Sequence, residues 1–411
     1  MFARRMRSSF QYTLAFVRWV LTGMVVGALC GVVGGLFAMG VEHATHLRQH
    51  HEWLIYLLPV GGLAIAGLYR LLKLPLSIGT DEIITTVRTQ DRVPLAMAPA
   101  IFLATVLTHL TGGSAGREGA ALQLGGSIGV ALSAKVAPMT DNRRIFQLCG
   151  MAALFSARFG TPIAATIFVV EIIEVGRINE RALLPCMVSA LTAKFAAMAV
   201  GAPVEAFPLG AGLAAATSGS VAQAAGLGIA CAVVALVFCH VMHGASKLFK
   251  RAIPNDFLRI AAGAAAVLLL SLLLGTNDYR GSGMHVILKA LEGEAVPAAF
   301  LLKIVFTALS LGVGFKGGEI VPSFFIGATM GCTAAGLLGL APGLGAALGI
   351  IGVFCGVTNA PLASMMLAVE LFGAEYLLLF GVTVGVSYAL SGHVSLYHTQ
   401  TFAEPKMGHR D

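Results

Sequence analysis

Gly112-Gly113-Ser114-Ala115-Gly116-Arg117-Glu118-Gly119-Ala120 stands at the entry to an apolar stretch that runs on to Leu132. Glycines this dense leave the N–H groups of a bend uncovered, and the stretch after them reads as a helix. A helix start carries free N–H donors and a partial positive charge, so it attracts anions. A carboxylate there competes with any other anion for the same donors. Glu118 therefore reads as an acid that fills an anion site when charged and leaves it when protonated. The plainer alternative is a glutamate capping its own helix at a water boundary.

Composition favours the first reading. Hydrophobic residues make up 57% of the 411 and charged residues 11%, where a soluble domain carries about 25% charged residues. Long apolar runs such as Trp19 to Gly40, Ile260 to Leu274 and Tyr376 to Leu390 predict an all-α polytopic membrane protein of about ten to twelve segments, near the roughly 20 apolar residues a span needs. Several are too short or too broken by Gly and Pro to cross alone, which predicts tilted and half helices. An ionisable side chain at membrane depth is expensive and functional by default. The net charge of +7 does not point to nucleic acid. The basic residues sit at segment ends (Arg4, Arg5, Arg7; Arg143, Arg144; Lys247, Lys250, Arg251), a positive-inside pattern that puts the N-terminus in the cytoplasm. The seven cysteines lie in apolar stretches without a CxxC pair and read as core residues, with no metal or cofactor called for.

The chain repeats itself. Pro162 precedes Glu171 by nine positions, and Pro361 precedes Glu370 by nine. Upstream, Gly317-Gly318-Glu319 echoes Gly116-Arg117-Glu118; 44 residues separate Glu118 from Pro162 and 42 separate Glu319 from Pro361. Further upstream, Ser77-Ile78-Gly79 and Gly281-Ser282-Gly283 end 39 and 36 residues before those glutamates. The expected organisation is a cytoplasmic segment 1–10, a first repeat 11–202, a linker 203–221, a second repeat 222–392 and a short tail 393–411 without a regulatory domain. Transporters built this way place their site where broken helices of the two halves meet. Gly27, Gly31 and Gly35 predict a close helix contact.

Gly317-Gly318-Glu319-Ile320-Val321-Pro322 has the same physics as the first stretch, with a Pro suited to an early helical position. Leu76-Ser77-Ile78-Gly79-Thr80-Asp81 is a third break, whose Thr80 or Asp81 is expected to cap a helix. Glu171 and Glu370 end apolar runs and are each either buried or interfacial; structural pairing with Arg158 or another cation is the plainer alternative. Tyr397 is either an exposed tail residue or a hydroxyl donor to an anion. Two rival motifs exist. Gly112-x-Ser114-x-Gly116 matches the nucleophile pattern of hydrolases and would need His240, His243 or His285 as its base. His46, His50 and His51 read as a solvated helix end.

Gly116-Arg117-Glu118-Gly119-Ala120-Ala121-Leu122-Gln123 resembles the GREGxxxQ signature of the CLC chloride channel and transporter family, and the likeness covers nearly the whole chain. It implies two inverted repeats and a homodimer with one pore per subunit. Its gating, proton-coupling glutamate would be Glu118, and its anion path would be lined by Ile78, Gly79, Gly116, Arg117, Gly119, Glu319, Ile320, Val321 and Tyr397. Ile78 stands where the family has a chloride-coordinating serine, and Gly318-Glu319-x-x-Pro322 looks like the fluoride/proton antiporter branch, with Glu319 as proton relay. That branch commonly has Met and Thr where Ile78 and Val321 stand. The inner proton glutamate of chloride/proton exchangers would fall at Ile172. The expected function, not an enzymatic one, is fluoride/proton antiport across the lipid bilayer of a bacterial-type plasma (inner) membrane. A chloride/proton exchanger or passive chloride channel is the alternative, and an intramembrane hydrolase at Ser114 the remote one.

Overall fold

The computed structural model describes residues 2–91, 93–136, 142–203, 205–209 and 218–406, with side chains from residue 11 onward except at Val136 and Ser218. Its helices, in order, are α1 (Phe2–His50), α2 (Leu58–Leu71), α3 (Thr80–Thr89), α4 (Met97–Thr111), α5 (Glu118–Val136), α6 (Arg143–Phe159), α7 (Pro162–Glu171), α8 (Glu180–Ala199), α9 (Ser218–Ala252), α10 (Asp256–Leu274), α11 (Met284–Leu291), α12 (Ala299–Val313), α13 (Ile320–Leu338), α14 (Pro342–Thr358), α15 (Pro361–Phe372) and α16 (Leu377–Leu390). A two-residue parallel ladder pairs Glu174–Val175 with Thr401–Phe402.

Six helical stretches among the described residues are long and apolar enough to cross a bilayer, the longest being Gln11–His50 and one being α2 extended by the 3-10 helix Glu52–Leu57 before it. Six further apolar helices of 10–17 residues are too short to do so alone. The breaks follow the sequence. Pro162 and Pro361 open α7 and α15, where a missing N–H costs nothing. Gly160 and Asn359, at matching places, close α6 and α14 with left-handed φ of 70° and 53°. The glycine stripe of α1 faces α8: a Cβ on Gly27 would meet the Ser189 carbonyl at 2.4 Å, and one on Gly31 the Ala193 carbonyl at 2.6 Å. Backbones this close leave no room for a side chain.

The halves meet through reciprocal contacts. Glu171, at the end of α7, accepts N–H bonds from Leu362 and Ala363 at the start of α15 (3.0 and 2.8 Å). Glu370, near the end of α15, accepts from Ile163 and Ala164 at the start of α7 (3.1 and 2.7 Å). The two helices run antiparallel, each capped by the other's acid. The alternative of pairing with Arg158 is set aside. A helix start offers N–H donors that have no partner within the helix, and these satisfy a carboxylate without any arginine. Gly116 and Gly318 likewise exchange both backbone hydrogen bonds, at 2.7 and 2.8 Å.

Segment 393–406 is not a peripheral tail. It threads back between the halves, where the Gln400 amide donates to the carbonyls of Ile172 (3.2 Å) and Thr358 (2.8 Å). Residues 407–411 lie outside the described residues, as do 204 and 210–217 of the expected linker; α9 begins at Ser218, before the expected boundary at 222.

Candidate functional site

Glu118 is the first residue of α5 and is fully buried. Its side chain folds back over the helix start, where Oε2 accepts the Arg117 N–H at 2.9 Å and the Val321 amide faces it from α13. A Cβ on Gly116 would lie 2.7 Å from that oxygen, so glycine is what admits the carboxylate. Oε1 lies 3.9 Å from Arg158 Nε and has no hydrogen-bond partner. An acid thus sits where the starts of α5 and α13 face each other, beside the Gly116–Gly318 exchange that ties the halves together.

Towards the end of α9 that carries Lys250, a cavity of about 130 Å3 opens onto this junction. Ser77, Ile78, Gly79, Thr80, Gln123 and Glu319 line it on one side, and Lys250, Arg259 and Lys316 give it a positive field. Lys316 is buried and donates to the carbonyls of Leu76 and Ile78 (2.7 and 2.8 Å). Its ammonium holds the break before α3 in place, a role that no motif signalled. Glu319 caps nothing with its side chain, and its Oε2 is buried without a hydrogen-bond partner. The Tyr397 hydroxyl is likewise buried and unpartnered, within electrostatic reach of Glu319 and Glu118. The exposed-tail alternative for Tyr397 is therefore set aside.

Three expectations need correction. The Ile78 N–H is engaged by the Pro75 carbonyl at 3.1 Å and the Gly116 N–H by Gly318 at 2.7 Å, so neither amide is free for an anion. The bends that expose neighbouring donors consume these two. Gly119, Ile320 and Val321 stand in first helical turns, where N–H groups have no partner within the helix. Gly79 rather than Thr80 or Asp81 is the N-cap of α3, and no side chain caps it. The Thr80 hydroxyl instead accepts from the Gln123 amide at 3.1 Å, while Asp81 Oδ1 accepts from the Thr399 N–H at 3.2 Å. The hydrolase reading also fails on geometry. The Ser114 hydroxyl meets Thr307 Oγ1 at 3.2 Å, whereas His240, His243 and His285 bond to Leu236 O, Leu396 O and Asp278.

Beside Glu118, and not among the residues that line the cavity, lies a cluster the sequence reading missed. Arg117 and Arg158 both donate to Oε1 of Glu205. Arg158 is 2% exposed although it sits at the end of an amphipathic-looking helix. Glu205 belongs to no helix, and its spacing from Glu118 has no counterpart in the second half. Only folding brings the three together.

A family model described as voltage gated chloride channel matches residues 61–392. The chain belongs to that family. Relatives include a protein named chloride/fluoride channel protein from Pseudomonas syringae pv. tomato, 36% identical over 95% of this chain and 87% of that one. Among solved structures, a CLC-type fluoride/proton antiporter matches with a TM-score of 0.90 at 32% identity, over 94% of this chain and 98% of the other. A slow cyanobacterial chloride/proton antiporter shares the fold, with a TM-score of 0.78 at 20% identity over 92% and 96%. The family consists of transporters and channels. For a multi-pass CLC chain, Glu118 and its surroundings are the place to seek the anion path.

Proposed function

We propose that the chain is a proton-coupled small-anion transporter, a fluoride/proton antiporter, in a bacterial-type plasma membrane with its N-terminus in the cytoplasm. The observation that carries this is the Glu118 carboxylate seated on the Arg117 N–H with the Val321 amide opposite. A charged acid there fills the seat of an anion. Once protonated it no longer competes for those donors, and an anion takes its place. Amides of Gly119, Ile320 and Val321 then replace part of the anion's hydration, while the side chains of Ile78 and Val321 bring no hydroxyl. Fluoride is the halide that benefits most from dense N–H donation. The chloride/fluoride channel protein and the fluoride/proton antiporter that the chain is similar to favour the same reading. Glu319, unpartnered at one oxygen and bordering the cavity that holds Lys316, is the proton relay; Tyr397 stands beside it.

The reciprocal Glu171 and Glu370 caps and the Gly116–Gly318 exchange support two inverted repeats, the first ending before the 203–221 linker. Family membership favours a homodimer with one pore per subunit. The second reading keeps this machinery with chloride as substrate, favoured by the Ser77 hydroxyl in the basic cavity. Purified protein in liposomes, followed with fluoride and chloride electrodes and a pH probe, ranks the anions. Fluoride efflux that carries no protons would overturn antiport.

A further inference from the structure

We infer that Arg117 and Arg158 form an outer anion-binding site, occupied at rest by the carboxylate of Glu205, through which the transported halide passes before reaching Glu118. The inference rests on the transport reading above and adds a binding site to it. A single oxygen, Glu205 Oε1, takes a hydrogen bond from each guanidinium. One acceptor atom held between two cations is the position a monatomic anion would fill. The donors are not exhausted: Arg117 Nε and both Nε and Nη1 of Arg158 are buried without hydrogen-bond partners. Guanidinium groups this deep are retained where something anionic comes to them.

Charge supplies the coupling. Two guanidiniums face two carboxylates, Glu205 and Glu118, and Glu42 on α1 is a further acid within electrostatic reach of Arg117. When Glu118 takes a proton, the pair of arginines keeps one close carboxylate for two positive charges. An incoming halide restores the balance, so the proton that releases the gate also strengthens the site that feeds it. Glu205 is suited to yield its place. It lies between α8 and α9 on no helix, while Phe207 two residues on anchors the segment edge-on against Phe324 and Phe372, each at 6.3 Å.

The test compares wild type, Glu205→Gln and Glu205→Asp in liposomes, reading initial rates against fluoride concentration on the Glu205 side. Removing the charge that competes for the site should lower the apparent KM for fluoride several-fold in Glu205→Gln while turnover falls, because the anion lingers between the arginines. The shorter Glu205→Asp should lie between Gln and wild type. A merely structural role would lower turnover and leave KM where it was, and that result in either folded variant overturns the proposal. If wild type moves chloride instead, the series is run with chloride. If wild type moves the anion without protons, antiport fails and the KM comparison still stands.

Discussion

At the scale of single residues, Glu118 decides coupling. Glu118→Gln keeps the shape and removes the charge that competes for the Arg117 N–H. Anion flux should persist while proton movement drops to background, measured with paired anion and pH electrodes. Arg158 decides stability at the same place. It is buried against Glu118 and Glu205, so Arg158→Ala leaves Glu205 with Arg117 alone and takes the nearest cation from Glu118 Oε1, and should cost roughly 3–5 kcal/mol, the range for breaking a buried pair. Thermal unfolding in detergent reads this, and the double change Arg158→Met, Glu205→Leu should recover part of the loss.

At the scale of elements, α7 and α15 depend on one another. Glu171→Ala removes an acceptor from two N–H groups, with an expected cost of about 1–2 kcal/mol, as for a lost helix cap. Glu370→Ala should cost less, because Glu370 is half-buried while Glu171 is buried and water can take over its donors. Unequal losses in melting temperature, larger for Glu171, are the result to look for. On α1, Gly27→Leu drives a side chain into the Ser189 carbonyl. Helix separation of this kind should cost upwards of about 1–3 kcal/mol, the range for overpacking, and should be visible as lost monodispersity on gel filtration. That contact was legible beforehand, because small residues at four-residue spacing have few other uses in a membrane helix. The capping of α3 was not. Thr80 and Asp81 look like caps in a one-dimensional reading, but Gln123 and Thr399 arrive from elsewhere in the chain and claim them.

At the scale of the whole molecule, the C-terminal segment closes the arrangement. Tyr397 and Gln400 stand between the halves, and Thr401–Phe402 pairs with Glu174–Val175. A chain ending at residue 392 should insert into membranes through its apolar helices yet fail to transport. Flux equal to the full chain would show that the segment is dispensable.

Membrane character and the glycine-opened acid at Glu118 were determined by the sequence alone, because hydropathy and the φ freedom of glycine are local properties. Which donors remain free, and who partners each buried charge, was decided only by tertiary structure. The Ile78 and Gly116 amides are spent on Pro75 and Gly318, and Arg158 meets Glu118 and Glu205 instead of Glu171 or Glu370. Hydrogen bonds between distant segments are settled by which groups the packing brings within about 3 Å, and no pattern along the chain encodes that choice for a residue such as Glu205, which lies in a connection without periodicity or repeat.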